Sequence, residues 1–297
     1  MADDVRVRTA IGAVLIAAIV GLLVLDHATG RGLGVVCLCV CLNAAGLLEF
    51  ARMAGPTAPI AAGPLVFAGA AYTAAKGLGL ERFAMGLGGE WGWWLHLPVA
   101  LAWAYGVGFA CLRGAPSPER FRGLAAGVLG FCYIPFLGGF ALDVRFSSPD
   151  YGAAAFFYVV AIAKGTDICA YFAGKSLGRV KLVPSVSPGK TRAGFVGAVV
   201  GAVGITAAFA HFSALGQVLP WPLVPGAGIV MALVVISGDL IESFIKRSVE
   251  VKDSAKLLPG FGGVLDIVDS VIIAAPVVYG GLWALERLRS SGALPLG

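Results

Sequence analysis

Five carboxylates stand where apolar sequence surrounds them: Asp167, Asp239, Glu242, Asp266 and Asp269. An ionised side chain inside hydrocarbon costs several kcal/mol unless it faces a cavity or a partner, so acids in such places are candidates for chemistry. Asp239 and Glu242 are three residues apart, as are Asp266 and Asp269, a spacing that puts both members of each pair on one face of a helix. Paired carboxylates with no His or Cys beside them suit a hard cation, above all magnesium completed by substrate phosphates. His27, His96 and His211 fall in different segments without ligand spacing, which argues against zinc. The six cysteines lie within apolar runs, and Cys37, Cys39 and Cys41 are two apart, so a helix turns them away from one another and they read as packing residues. The alternative for the acids is burial as ion pairs with Lys246, Arg247 or Lys252.

Two polar segments supply the opposite charge. Residues 174–192 and 246–262 hold nine Lys and Arg in 36 positions, with Gly174, Gly178 and Gly189 interleaved in the first. Lys175, Arg179, Lys181, Lys190 and Arg192 facing a carboxylate cluster across magnesium are what a polyphosphate needs. The run Gly189, Lys190, Thr191 looks like the end of a phosphate-binding P-loop, but Pro184 stands where that pattern begins with glycine and no strand is expected before it. Ordinary cytoplasmic loop charge is the competing reading for each lysine.

The elements that position these groups follow from composition. Of 297 residues, 58% are hydrophobic and 13% charged, about half the usual charged share, so the chain's solvent is mostly lipid. The net charge of +5 fits anionic head groups or phosphates rather than nucleic acid. The expected fold is an all-α polytopic membrane protein with nine spans, centred near residues 17, 42, 66, 103, 132, 163, 203, 234 and 275, the first retained rather than cleaved as a signal peptide. Fifteen Lys and Arg fall on one side and six on the other, with Lys164 inside a span, which predicts a cytoplasmic N-terminus and cytoplasmic polar loops. Trp91, Trp93 and Trp94 read as an interfacial belt on the far face. Asp167 and Asp239 are then each expected six residues before a cytoplasmic helix end, roughly 9 Å deep, sharing a cavity with Asp266 and Asp269. Residues 1–150 (spans 1 to 5) are expected to be scaffold and dimer contact, and residues 151–297 (spans 6 to 9) the catalytic part.

The segment GDLIESFIKRSVEVKDSAKLLPGFGGVLDIVDS, Gly238 to Ser270, resembles the signature of the phosphatidate cytidylyltransferases, or CDP-diacylglycerol synthases. DICAYFAGKSLGRVKLVPSVSPGKT, Asp167 to Thr191, is similar to that family's second block, and Glu49 gives looser support. The resemblance implies a helical scaffold that dimerises in a bacterial inner membrane, with its active site facing the cytoplasm. It implies CTP and phosphatidic acid as substrates, and magnesium with a monovalent cation such as potassium nearby. By motif position, Asp239, Asp266 and Asp269 would hold the metal, with Lys246 in a catalytic role beside them. Asp167, Ser187, Lys190, Thr191, Ser243, Arg247, Lys252 and Asp253 would bind substrate. Phe261 stands where the family commonly has His, Ile267 where it has Arg, and Lys164, one turn before Asp167, is unusual and would neutralise it.

The implied chemistry is nucleotidyl transfer, in which a phosphate oxygen of phosphatidate attacks the α-phosphorus of CTP and pyrophosphate leaves. A phosphate monoester is already largely ionised at neutral pH, so the protein must supply charge neutralisation and alignment rather than a strong base. A CTP-dependent lipid kinase and a secondary transporter are the two rival readings. The first would release CDP, and the second would place its acids in two corresponding halves.

Overall fold

The computed structural model describes residues 32–79, 117–184, 187–255 and 262–292, together with positions 21, 22, 24, 26 and 108. The expected spans near 17 and 103, the Trp91 to Trp94 belt, His27, His96 and Phe261 lie outside the described residues. The chain divides into two compact units: Met1–Leu142 with Val249–Val268, and Asp143–Ser248 with Asp269–Gly297.

In the first unit, α1 (Leu33–Ala54) packs on α2 (Ala62–Gly77), and both meet α3 (Pro118–Phe131). Helix α3 starts where Ser117 accepts a hydrogen bond from the Arg120 N–H at 3.3 Å and Pro118 takes the first helical position, which needs no donor. Pro135 then has no N–H to offer the preceding turn, and the backbone widens into a π-helical turn at Cys132–Phe136 before continuing as α4 (Leu137–Arg145). Leu47, Phe50, Leu65, Tyr72, Phe131 and Ile134 form the core, with the Tyr72 ring edge-on to Phe131 at 5.6 Å.

In the second unit, α5 (Gly152–Leu177) lies along α6 (Arg192–Phe212), and α6 along α7 (Val224–Ser248). The last helix, α8 (Val264–Ser290), begins in the first unit and continues in the second. Small residues line these contacts, among them Ala155, Ala163, Ala198 and Ala202, all fully buried. A Cβ on Gly201 would come within 2.5 Å of the Cys169 sulfur, so this cysteine is the packing residue its apolar setting predicts. Tyr151, just before α5, donates a hydrogen bond to Glu286 of α8, and burial together with that carboxylate holds its phenol above the ordinary range.

Among the described residues, six helices are long and apolar enough to cross a membrane: Leu33–Ala54, Pro118–Arg145, Gly152–Leu177, Arg192–Phe212, Trp221–Ser248 and Val264–Ser290. Helix α2, the expected third span, has 16 residues, short of the roughly 20 a perpendicular crossing needs. Phe67, Val196, Val200 and Phe244 point outward and exposed, as residues facing lipid do.

Two details depart from the sequence reading. The loop after α5 is not purely irregular: β1 (Lys181–Val183) and β2 (Ser187–Thr191) pair antiparallel, so a short strand does precede the SPGKT run. Helices α5 and α7 also run further than expected. Asp167 lies ten residues before the end of α5 at Leu177 and Asp239 nine before the end of α7 at Ser248, roughly 13 to 15 Å along the axis rather than 9.

Candidate functional site

The second unit gathers four acids and three lysines from four elements. Helix α7 presents Asp239 and Glu242 one turn apart, α8 presents Asp269, α5 presents Lys164 and Asp167, and β2 presents Lys190. Gly238 lets α7 approach α8 beside these acids: a Cβ there would lie 3.2 Å from the Ile273 side chain and 3.6 Å from the Asp269 carbonyl oxygen. One carboxylate oxygen from each of Asp239, Glu242 and Asp269 falls within 4.8 Å of the other two.

Each of these carboxylates has a lysine. Lys190 Nζ lies 2.6 Å from Asp239 Oδ2 and donates to the Ile236 carbonyl at 3.3 Å. Lys246 Nζ lies 2.7 Å from Glu242 Oε2, one turn along α7. Lys164 Nζ lies 3.2 Å from Asp269 Oδ1 and 3.8 Å from Asp167 Oδ2. The buried Ser270 hydroxyl lies 3.0 Å from Asp269 Oδ1 and 3.2 Å from Asp167 Oδ2, tying the same two acids from a second side. Ammonium groups this close offset part of the cost of burying the carboxylates. The ion-pair alternative in the sequence holds for Lys246 on Glu242, and Lys164 takes Asp269 as its nearer acid rather than Asp167 alone.

Beside the cluster opens a cavity of about 490 Å³, within the range of small-molecule sites, lined by Tyr171, Lys175, Lys181, Ser187, Lys190 and Asp239 among others. The hairpin forms one wall. Thr191 is buried and accepts a hydrogen bond from the Gly194 N–H at 3.1 Å, capping α6. Gly174 and Gly178 admit that threonine, since a Cβ on Gly178 would come within 2.6 Å of its hydroxyl oxygen, whereas Gly189 faces open space. Ser243 and Arg247 follow on α7, half-buried and exposed respectively.

Asp266 sits in the first unit, in a different setting. Its Oδ2 accepts hydrogen bonds from the Ser254 N–H (3.1 Å), the Ser254 hydroxyl (3.0 Å) and the Gly263 N–H (2.8 Å). Glu49, 4% exposed, joins it: Oε1 accepts from the Val264 N–H at 2.8 Å, and Oε2 from the Leu265 N–H at 2.9 Å and the Ser254 hydroxyl at 3.1 Å. A carboxylate on the first N–H groups of a helix satisfies donors that have no partner within it and complements the helix dipole. The paired glycines make room: Gly262 has φ of 86°, and a Cβ on Gly263 would come within 2.1 Å of the Ser254 hydroxyl and 2.3 Å of Glu49 Oε2. Lys252 and Asp253, exposed, precede Ser254 in the chain.

Asp239, Glu242 and Asp269 therefore have the donor type and spacing to hold magnesium: three convergent hard oxygens, without sulfur or imidazole. Glu242 takes the third place in this group, and Asp266 stands among the loop donors of the other unit. Sequence reasoning did not find Ser254 or Ser270, and gave Glu49 no role. The only local signal for Glu49 is an acid within an apolar helix, as for Asp167.

The profile of the Cytidylyltransferase family matches residues 6–285. The chain is 40% identical over 161 residues to the phosphatidate cytidylyltransferase of Bacillus subtilis, a match covering 54% of this chain and 56% of that one. It is 39% identical over 148 residues to that of Haemophilus influenzae (48% and 51%), and 42% over 130 residues to the uncharacterized protein YnbB of Escherichia coli (43% and 42%). In these matches the chain spans about half the length of the curated relatives.

Proposed function

The chain belongs to the cytidylyltransferase family, and from that premise we propose that it is a phosphatidate cytidylyltransferase, joining CTP and phosphatidic acid into CDP-diacylglycerol with release of pyrophosphate. The observation that carries this reading is the cluster of acids, each held by a lysine, at the edge of a cavity lined by Lys175, Lys181 and Lys190. A polyphosphate entering that cavity meets ammonium groups already gathered, and Lys190, one-fifth exposed, is placed to turn from Asp239 to a phosphate oxygen. Lys175 and Lys181 neutralise the remaining phosphate charge, while Ser187 and the backbone beside Gly189 leave room for the chain of phosphates. Magnesium would be held by Asp239, Glu242 and Asp269, with Asp266 kept as the signature's further acid, and when bound it supplies charge neutralisation at phosphate oxygens. Lys246 fixes the Glu242 carboxylate, and Lys164 and Ser270 fix those of Asp167 and Asp269, so the oxygens do not reorganise as charge develops. Ser243, Arg247, Lys252 and Asp253 complete the substrate contacts in this reading.

The full reading has nine spans, a cytoplasmic N-terminus, a site facing the cytoplasm at a bacterial inner membrane, and a homodimer. Relatives named phosphatidate cytidylyltransferase favour the cytidylyl transfer over the lipid kinase and the transporter. Purified protein with CTP, phosphatidate and magnesium should release pyrophosphate and form CDP-diacylglycerol in equal amounts; CDP as the product would establish the kinase instead. A membrane-impermeant thiol reagent should fail to label position 181, made cysteine in a cysteine-free background, from outside intact cells; labelling there would overturn the orientation.

A further inference from the structure

Lys164 serves two acids of the cluster. Lys190 pairs with Asp239 and Lys246 with Glu242, whereas the Lys164 ammonium stands between Asp269 Oδ1 at 3.2 Å and Asp167 Oδ2 at 3.8 Å. The same carboxylates share the Ser270 hydroxyl, 3.2 Å from Asp167 Oδ2 and 3.0 Å from Asp269 Oδ1, so they are held facing a common point. Two carboxylates and a hydroxyl around one point are oxygen donors for a monovalent cation, and an ammonium group is close to potassium in size and equal to it in charge. It reaches this point from the middle of an apolar helix, where a lysine is costly unless it is paired. Charge favours its staying: the four acids exceed the three lysines by one, and a phosphate that draws Lys190 away raises the need for a fixed positive charge beside Asp269.

We infer that Lys164 is a tethered monovalent cation: its ammonium fills, between Asp167, Asp269 and Ser270, the position that a free potassium or ammonium ion would otherwise take, and the protein needs no such ion from solution. Lys164 is on this view a positioning residue for the Asp269 carboxylate. The inference deepens the proposed function and rests on it for activity, while its cation-binding part is read without turnover.

The full-length protein and its Lys164→Ala variant are melted in EDTA with choline chloride, lithium chloride, potassium chloride or ammonium chloride at one ionic strength. The parent should melt within about 1 °C in all four salts. The variant should melt lower in choline and regain about 4 °C or more in potassium or ammonium alone, because an ion that binds only the folded state stabilises it by mass action. Lys164→Gln, which keeps length and polarity, takes the place of the alanine variant if that one does not fold. In turnover with CTP and phosphatidate, the parent should change less than about twofold when choline replaces potassium, and the variant should gain about tenfold or more from potassium or ammonium. A parent that needs potassium, a variant restored equally by choline, or a variant restored by no salt overturns the inference and leaves an ordinary ion pair. Ion-selective melting in a protein that forms no CDP-diacylglycerol supports the cation position and overturns the proposed function instead.

Discussion

Two groups of acids, one in each unit, are stabilised by different means. Glu49 and Asp266 are held by backbone N–H groups and the Ser254 hydroxyl. Asp239, Glu242 and Asp269 are held by lysine side chains. Backbone donors belong to the fold and do not leave without unwinding a helix end or a loop. An ammonium group on a four-carbon stem can change partner by rotation, as the proposed function asks of Lys190 on Asp239, while Lys164 keeps its place between Asp167 and Asp269. The first group is therefore built to fix chain geometry, and the second leaves one of its lysines able to exchange partners.

That contrast is sharpest at Asp269 and Asp266, one turn apart on α8. Asp269→Asn should lower kcat/KM by about a thousandfold or more, several kcal/mol of transition-state stabilisation, with the melting temperature nearly unchanged. Asp266→Asn should lower activity and melting temperature together, since the loop donors lose a charged acceptor. If both variants kept the parental melting temperature, the two groups would not differ in kind. Glu49→Ala comes next: it strands the Val264 and Leu265 N–H groups and should cost about 2 to 6 kcal/mol, at roughly 1 to 3 kcal/mol per unsatisfied group, read by denaturant unfolding in micelles.

Gly263→Ala should cost about 1 to 3 kcal/mol, because its Cβ meets Glu49 and Ser254 head-on, whereas Gly280→Ala on α8 meets nothing within 4 Å and should be neutral or slightly stabilising. Equal melting temperatures for the two would remove the packing argument. Lys190→Ala should lose about tenfold in kcat/KM for CTP, roughly 1.4 kcal/mol, and Lys190→Arg should recover only part. Unchanged kinetics in the alanine variant would return this lysine to ordinary loop charge.

The helical layers were legible because apolar runs are long and local: seven of the expected span centres fall in helices of the structure, and the other two lie outside the described residues. The acids were legible because carboxylates in apolar sequence stand out one by one. Their partners were not. Ser254 and Glu49 are 205 positions apart in the chain, and Lys164 and Asp269 are 105, separations that no helical period encodes. The hairpin escaped notice because its strands are three and five residues long and the second contains Pro188 and Gly189. Pro135 within an apolar run was a usable signal for the π turn, since a missing N–H must open the helix there.

The cap that Thr191 places on α6 sets a clock for the residue before it. With the Thr191 hydroxyl fixed on the Gly194 N–H, and Ser187 and Thr191 in register with Val183 and Lys181, the segment that carries Lys190 is anchored at both ends. The movement of its ammonium from Asp239 toward the cavity is a change of side-chain torsions alone. Such rotamer hops occur in picoseconds to nanoseconds, against nanoseconds to microseconds for a loop that must reorder. Handing the lysine over is then fast beside the reordering of a loop, and under the proposed function the slow step falls elsewhere.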